Sequence, residues 1–86
     1  MALLQMPDSW TTATEGVHCV TVSGTTVRQA LAELTSRYPA LHRRVFTTDG
    51  RIGGWLAIYI GDERAAPGAP IDDAVVLTVL PALAGG

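Results

Sequence analysis

Trp55-Leu56-Ala57-Ile58-Tyr59-Ile60 is the stretch on which the fold turns. Its aromatic and branched residues favour an extended chain. With a period of two, Leu56, Ile58 and Ile60 share one face while Trp55, Ala57 and Tyr59 share the other. The aliphatic face is expected to be core. Upstream, Thr47-Thr48-Asp49-Gly50-Arg51-Ile52-Gly53-Gly54 is loop by composition. Downstream, Gly61-Asp62-Glu63 turns the chain, and Pro67, Gly68 and Pro70 leave room only for a stub of strand near Arg64-Ala65. Asp72-Asp73 then leads into Ala74-Val75-Val76-Leu77-Thr78-Val79-Leu80, a last strand that Pro81 is expected to stop.

The first half supplies the rest of the layout. Leu3, Leu4 and Met6 predict a strand over 2–6, ended by the turn-prone Pro7-Asp8-Ser9. The β-branched run Val17-His18-Cys19-Val20-Thr21-Val22 predicts a second strand, closed by Ser23-Gly24. Thr26 and Gln29 have capping-box spacing: the hydroxyl accepts from the third amide and the Gln side chain reaches back. Val27, Ala30, Leu31, Leu34 and Tyr38 follow at helical spacing, with Arg28, Gln29, Glu33 and Arg37 on the opposite side and Glu33 and Arg37 paired i,i+4. Pro39 ends this helix. Residues 40–46 are expected to add a turn that tucks Leu41 and Phe46 under the sheet. Two strands, a helix, a strand, a stub and a final strand in so short a chain make an α+β roll, one sheet with one main helix across it.

Length and composition narrow the classes. Eighty-six residues suit one domain, and 48% hydrophobic against 16% charged residues can fill one core. Net charge is −2 and the basic residues are scattered Arg with no cluster beyond Arg43-Arg44, which argues against a nucleic-acid partner. No apolar run approaches the roughly 20 residues that cross a bilayer, and the opening Met-Ala-Leu-Leu-Gln lacks the marks of a secretory leader. A cytoplasmic protein with no membrane association is the expectation. Cys19 is alone, so neither an internal disulfide nor a zinc site is expected, and a lone thiol reads as a small buried apolar group. Lys is absent altogether. Arg-rich codon usage accounts for that; so does the safety of an activated acyl terminus in a chain without side-chain amines.

The tail Pro81-Ala82-Leu83-Ala84-Gly85-Gly86 is the most informative segment chemically. It carries no charged side chain and ends in two residues without Cβ, so it is slender enough to thread into a nucleotide pocket. Any side chain beside the reacting carbon would obstruct both a phosphate and an incoming nucleophile. Pro81 stiffens its departure and lowers the entropy lost when a partner orders it. A Gly-Gly end is by itself equally an inert end; here it follows directly on a strand in a chain of this size and element order.

Ile58-Tyr59-Ile60-Gly61-Asp62-Glu63 and Val79-Leu80-Pro81-Ala82-Leu83-Ala84-Gly85-Gly86 resemble the ubiquitin-like sulfur carriers of the thiamine and molybdopterin type, most closely the branch serving bacterial cysteine synthesis. The resemblance runs from Val17 onward and departs at Ile71-Asp72-Asp73-Ala74, where such carriers have a Gly-Asp turn. It implies a β-grasp domain over 1–80 with a mixed sheet of four to five strands, and a flexible tail over 81–86. It implies no resident cofactor and no catalytic residue. An E1-like adenylyltransferase using ATP and Mg would adenylate Gly86, a sulfur donor would convert it to a thiocarboxylate, and a downstream synthase would accept the sulfur. Gly85, Ala84, Leu83, Ala82 and Pro81 would thread the partner's channel.

Trp55, Ala57 and Tyr59, with Thr78 and Leu80 beside them, are expected to form an exposed apolar patch on which such an enzyme docks, the carrier alone being a monomer. Trp55 covering a loop is the plainer alternative. His18 and His42 are isolated, and the adjacent Asp72 and Asp73 point apart, so neither set suggests acid–base chemistry. Delivery to molybdopterin, where the chain would be a synthase subunit, to thiamine, or to a secondary metabolite stays open. So does a protein modifier joined through Gly86 to a target Lys, and an interaction domain with an inert tail.

Overall fold

Alternation places Ala2 and Leu4 inward and Leu3 and Gln5 outward in β1 (Ala2–Gln5). β1 pairs antiparallel with β2 (Cys19–Val22), Leu4 facing Val20. The computed structural model describes residues 1–81. The strongest strand of the sequence is β3 (Leu56–Ile60), followed by the short β4 (Glu63–Arg64) and by β5 (Val76–Pro81). Five strands form one mixed sheet in the order β2-β1-β5-β3-β4. β5 is central, parallel to β1 with Leu4 opposite Leu77 and antiparallel to β3 with Ile58 opposite Val79. Gly61 turns β3 into β4 at φ +60°, a conformation that costs glycine nothing.

α1 (Val27–Arg37) lies across one face and presents Val27, Ala30, Leu31 and Leu34, all fully buried, to Leu4, Val22, Leu77 and Val79. Each buried leucine stabilises the fold by about 2 kcal/mol relative to exposure. Thr26 caps the helix, its Oγ1 accepting the Gln29 amide at 3.2 Å. The reach-back differs from the expected box: Gln29 Oε1 accepts from the amide and hydroxyl of Thr25, each at 2.8 Å, one residue short of the cap. The remaining orphan amides are met from a distance, Val27 donating to the Ala69 carbonyl and Arg28 to that of Pro67. The Pro-Gly segment that reads as a connector thus closes the start of α1.

From Pro39 a 3₁₀ turn and the one-turn α2 (His42–Val45) bury Leu41 and Phe46 against the core as expected, and Val45 with them. Three expectations shift. The second strand begins at Cys19, since His18 only offers its carbonyl to Met6. The turn expected at Pro7-Asp8-Ser9 is a 3₁₀ turn over Asp8–Trp10 that also drives Trp10 into the core. Pro81 does not stop β5 but is itself paired in it, opposite Leu56, whose own amide donates to Gly53. β1 does not extend to that level, so the missing N–H of proline breaks no ladder bond there.

Candidate functional site

β5 runs to Pro81 beside the start of β3, and the candidate site is the surface around that end, the exit from which the sequence continues into the tail. Ala82, Leu83, Ala84, Gly85 and Gly86 lie outside the described residues. On the face of the sheet away from α1, Thr78 sits between Gln5 and Tyr59 and donates its hydroxyl to Gln5 Oε1 at 3.3 Å. Tyr59 faces Arg64 across the β3–β4 pair. Leu80 and Val76, at 44% and 39% exposure, flank that row. A strip of aliphatic, hydroxyl and phenol groups therefore runs along the central strand towards the exit.

Two members of the expected patch are placed differently. Ala57 is buried, because its single methyl group lies low between larger neighbours and opposite Leu80. Trp55 precedes β3 rather than sharing its outer face. Its indole N–H donates to the Arg44 carbonyl at 2.7 Å and its ring lies over Gly53, where a Cβ would collide with it. Gly53 therefore has to be glycine for the ring to lie there. Turned this way, Trp55 and Phe46 with Arg43, Thr47 and Thr48 line an open pocket of about 500 Å³ between α2 and the exit. Tyr59, Thr78 and Leu80 stay together on the sheet; Trp55 belongs to this second surface. Sequence reasoning misses the pocket, although Phe46 beside the Arg43-Arg44 pair is a signal that could have found it.

Cys19 is exposed, contrary to the buried thiol expected, since Val20 and Val22 take the inward positions of β2. His18 is exposed near Asp8, Nδ1 to carboxylate 3.4 Å, and His42 packs its ring 5.4 Å from that of Phe46. Among the described residues no three His, Cys, Asp or Glu side chains gather as a metal site, and no helix is long and apolar enough to cross a membrane.

No family sequence model matches the chain, and comparison with curated proteins gives no match. Solved structures do match. A chain of the BexX/CysO complex of Amycolatopsis orientalis superposes with a TM-score of 0.86 at 27% identity over 100% of both chains. SAMP1 from Haloferax volcanii superposes at 0.79 with 30% identity over 99% of this chain and 98% of that one. CysO of Mycobacterium tuberculosis shares the fold at 0.84, with 24% identity over 96% of this chain and 100% of that one.

Proposed function

The chain belongs to the ubiquitin-like sulfur carriers of the thiamine and molybdopterin type, CysO-like in structure, and from that membership we propose that it carries sulfur as a thiocarboxylate on Gly86, destined for cysteine synthesis. The observation that carries this reading is the full-length likeness to a CysO chain in a sequence that ends Gly85-Gly86 beyond the central strand. An E1-like adenylyltransferase would bring ATP and Mg. A carboxylate oxygen of Gly86 attacks the α-phosphorus and pyrophosphate leaves. Sulfide from a donor then attacks the acyl carbon and expels AMP, which leaves a thiocarboxylate. The carrier holds the reacting atom, while catalysis belongs to its partners. ATP supply sets the cytoplasm as the place of activation. The complex of CysO with BexX supports association with a partner protein, and the second partner we propose is a downstream synthase.

Gly85 and the Ala82-Leu83-Ala84 segment would line the channel of each enzyme, with Tyr59, Thr78 and Leu80 docking beside it. The test is intact mass after incubation with ATP, the adenylyltransferase and sulfide. The expected product has one oxygen replaced by sulfur, and deletion of Gly86 abolishes it. Persistence of the mass change in the deletion would overturn the site. A second reading, a modifier conjugated through Gly86 to a target Lys, is favoured by the likeness to SAMP1, a small archaeal modifier protein. Adducts on other proteins in the same incubation would select it.

A further inference from the structure

The charges of this chain are distributed along the direction of its central strand. Asp62 and Glu63 follow β3 and Asp72 and Asp73 precede β5, and Gly61 donates to the Val76 carbonyl, so four of the eight acidic residues gather at the end away from the tail. All four are exposed, and of them Asp73 pairs with the N-terminal ammonium at 2.9 Å. The opposite end, where β5 leaves at Pro81, carries Arg43 and Arg44, both exposed and without a carboxylate partner among the described residues. The neighbouring loop carboxylate is already engaged, Asp49 accepting from the Thr47 hydroxyl at 2.8 Å and lying 3.9 Å from Arg51. A molecule of net charge −2 is thus locally basic where its tail emerges.

Beside those arginines lies the Trp55–Phe46 pocket, open and largely apolar, with Trp55 at 44% exposure. A half-exposed Trp55 beside a buried Phe46, with Arg43 at the pocket wall and the Arg28 guanidinium 5.9 Å from the Phe46 ring centre, fits an apolar side chain flanked by carboxylates. We infer that this pocket, with Arg43 and Arg44, is a second docking site that takes an acidic segment bearing one apolar side chain, supplied by the enzyme that receives the tail. This rests on the carrier reading above. The separation of charge would turn the carrier tail-first as it approaches an acidic channel mouth, so the site acts on encounter and leaves the chemical step alone.

The experiment is ATP–pyrophosphate exchange catalysed by the adenylyltransferase, with intact carrier as the varied substrate at low and high salt. Joint Arg43→Glu and Arg44→Glu substitution should raise KM about tenfold or more at low salt with kcat unchanged, and the gap should narrow as salt screens the pair. Trp55→Phe should raise KM at both salts. Asp62→Asn with Glu63→Gln, at the other end, should leave KM equal or lower. Unfolding curves verify that each variant is folded. Wild-type KM in the arginine variant, or a loss confined to kcat, overturns the inference while the carrier reading stands. Absence of exchange with wild-type carrier overturns both. If deleting 82–86 shifts the Trp55 indole N–H resonance in the isolated protein, the pocket's occupant is the chain's own tail and the inference fails.

Discussion

Glu33 shows how much one side chain gains from tertiary placement. Its i,i+4 partner Arg37 is legible in the sequence and lies 3.3 Å away. Ser23 is not legible: its amide and hydroxyl donate to Glu33 Oε1 at 2.9 and 3.0 Å, because α1 packs over the end of β2. The Ser23 amide holds the carboxyl below its usual range, aided by the Ser23 hydroxyl, Arg37 and the Gly24 amide, against a smaller upward push from burial. A lowered folded value means that the stabilisation is present above the unfolded value and is lost as pH falls through the folded one. Glu33→Gln should therefore be less stable than wild type near about pH 7, and the difference should shrink towards about pH 3 in urea unfolding. A difference constant across that range would contradict the assignment.

At α1 the start signal was readable and its execution was not. Thr26 is the cap that the Thr-x-x-Gln spacing predicts, yet Gln29 closes on Thr25, and two further amides are satisfied by the carbonyls of Pro67 and Ala69. Carbonyls about forty residues downstream leave no mark in a local pattern. Thr26→Ala should cost about 1 kcal/mol in denaturant unfolding, and no loss would mean that the distant carbonyls alone hold the helix start. The burial of Trp10 is invisible in the sequence for a related reason. A 3₁₀ turn of three residues is too short for any periodicity to show, so its burial follows only from where β1 delivers the chain.

For the molecule as a whole, α1 covers one face of the sheet and leaves the other open, and residues of β5 on the two faces differ accordingly. Leu77 is fully buried beneath α1, whereas Leu80 is 44% exposed. Leu77→Ala should cost about 2–5 kcal/mol. Leu80→Ala should change stability by no more than about 0.5 kcal/mol while raising the carrier's KM in adenylation. Equal stability losses in the two variants would show that the outer face is structural. The strip along β5 and the Trp55 pocket lie on either side of Pro81, the end of the central strand from which the sequence continues into the tail.

Strand and helix periodicity and the turn residues are local properties, so the sequence by itself determined the element order and the inward residues of β3 and β5. Pairing between distant segments is not local. The parallel contact of β1 with β5, the burial of Ala57, the exposure of Cys19 and the turning of Trp55 onto Arg44 were decided only by the assembled sheet. Each depends on which neighbours crowd or uncover a side chain once segments far apart in the sequence meet.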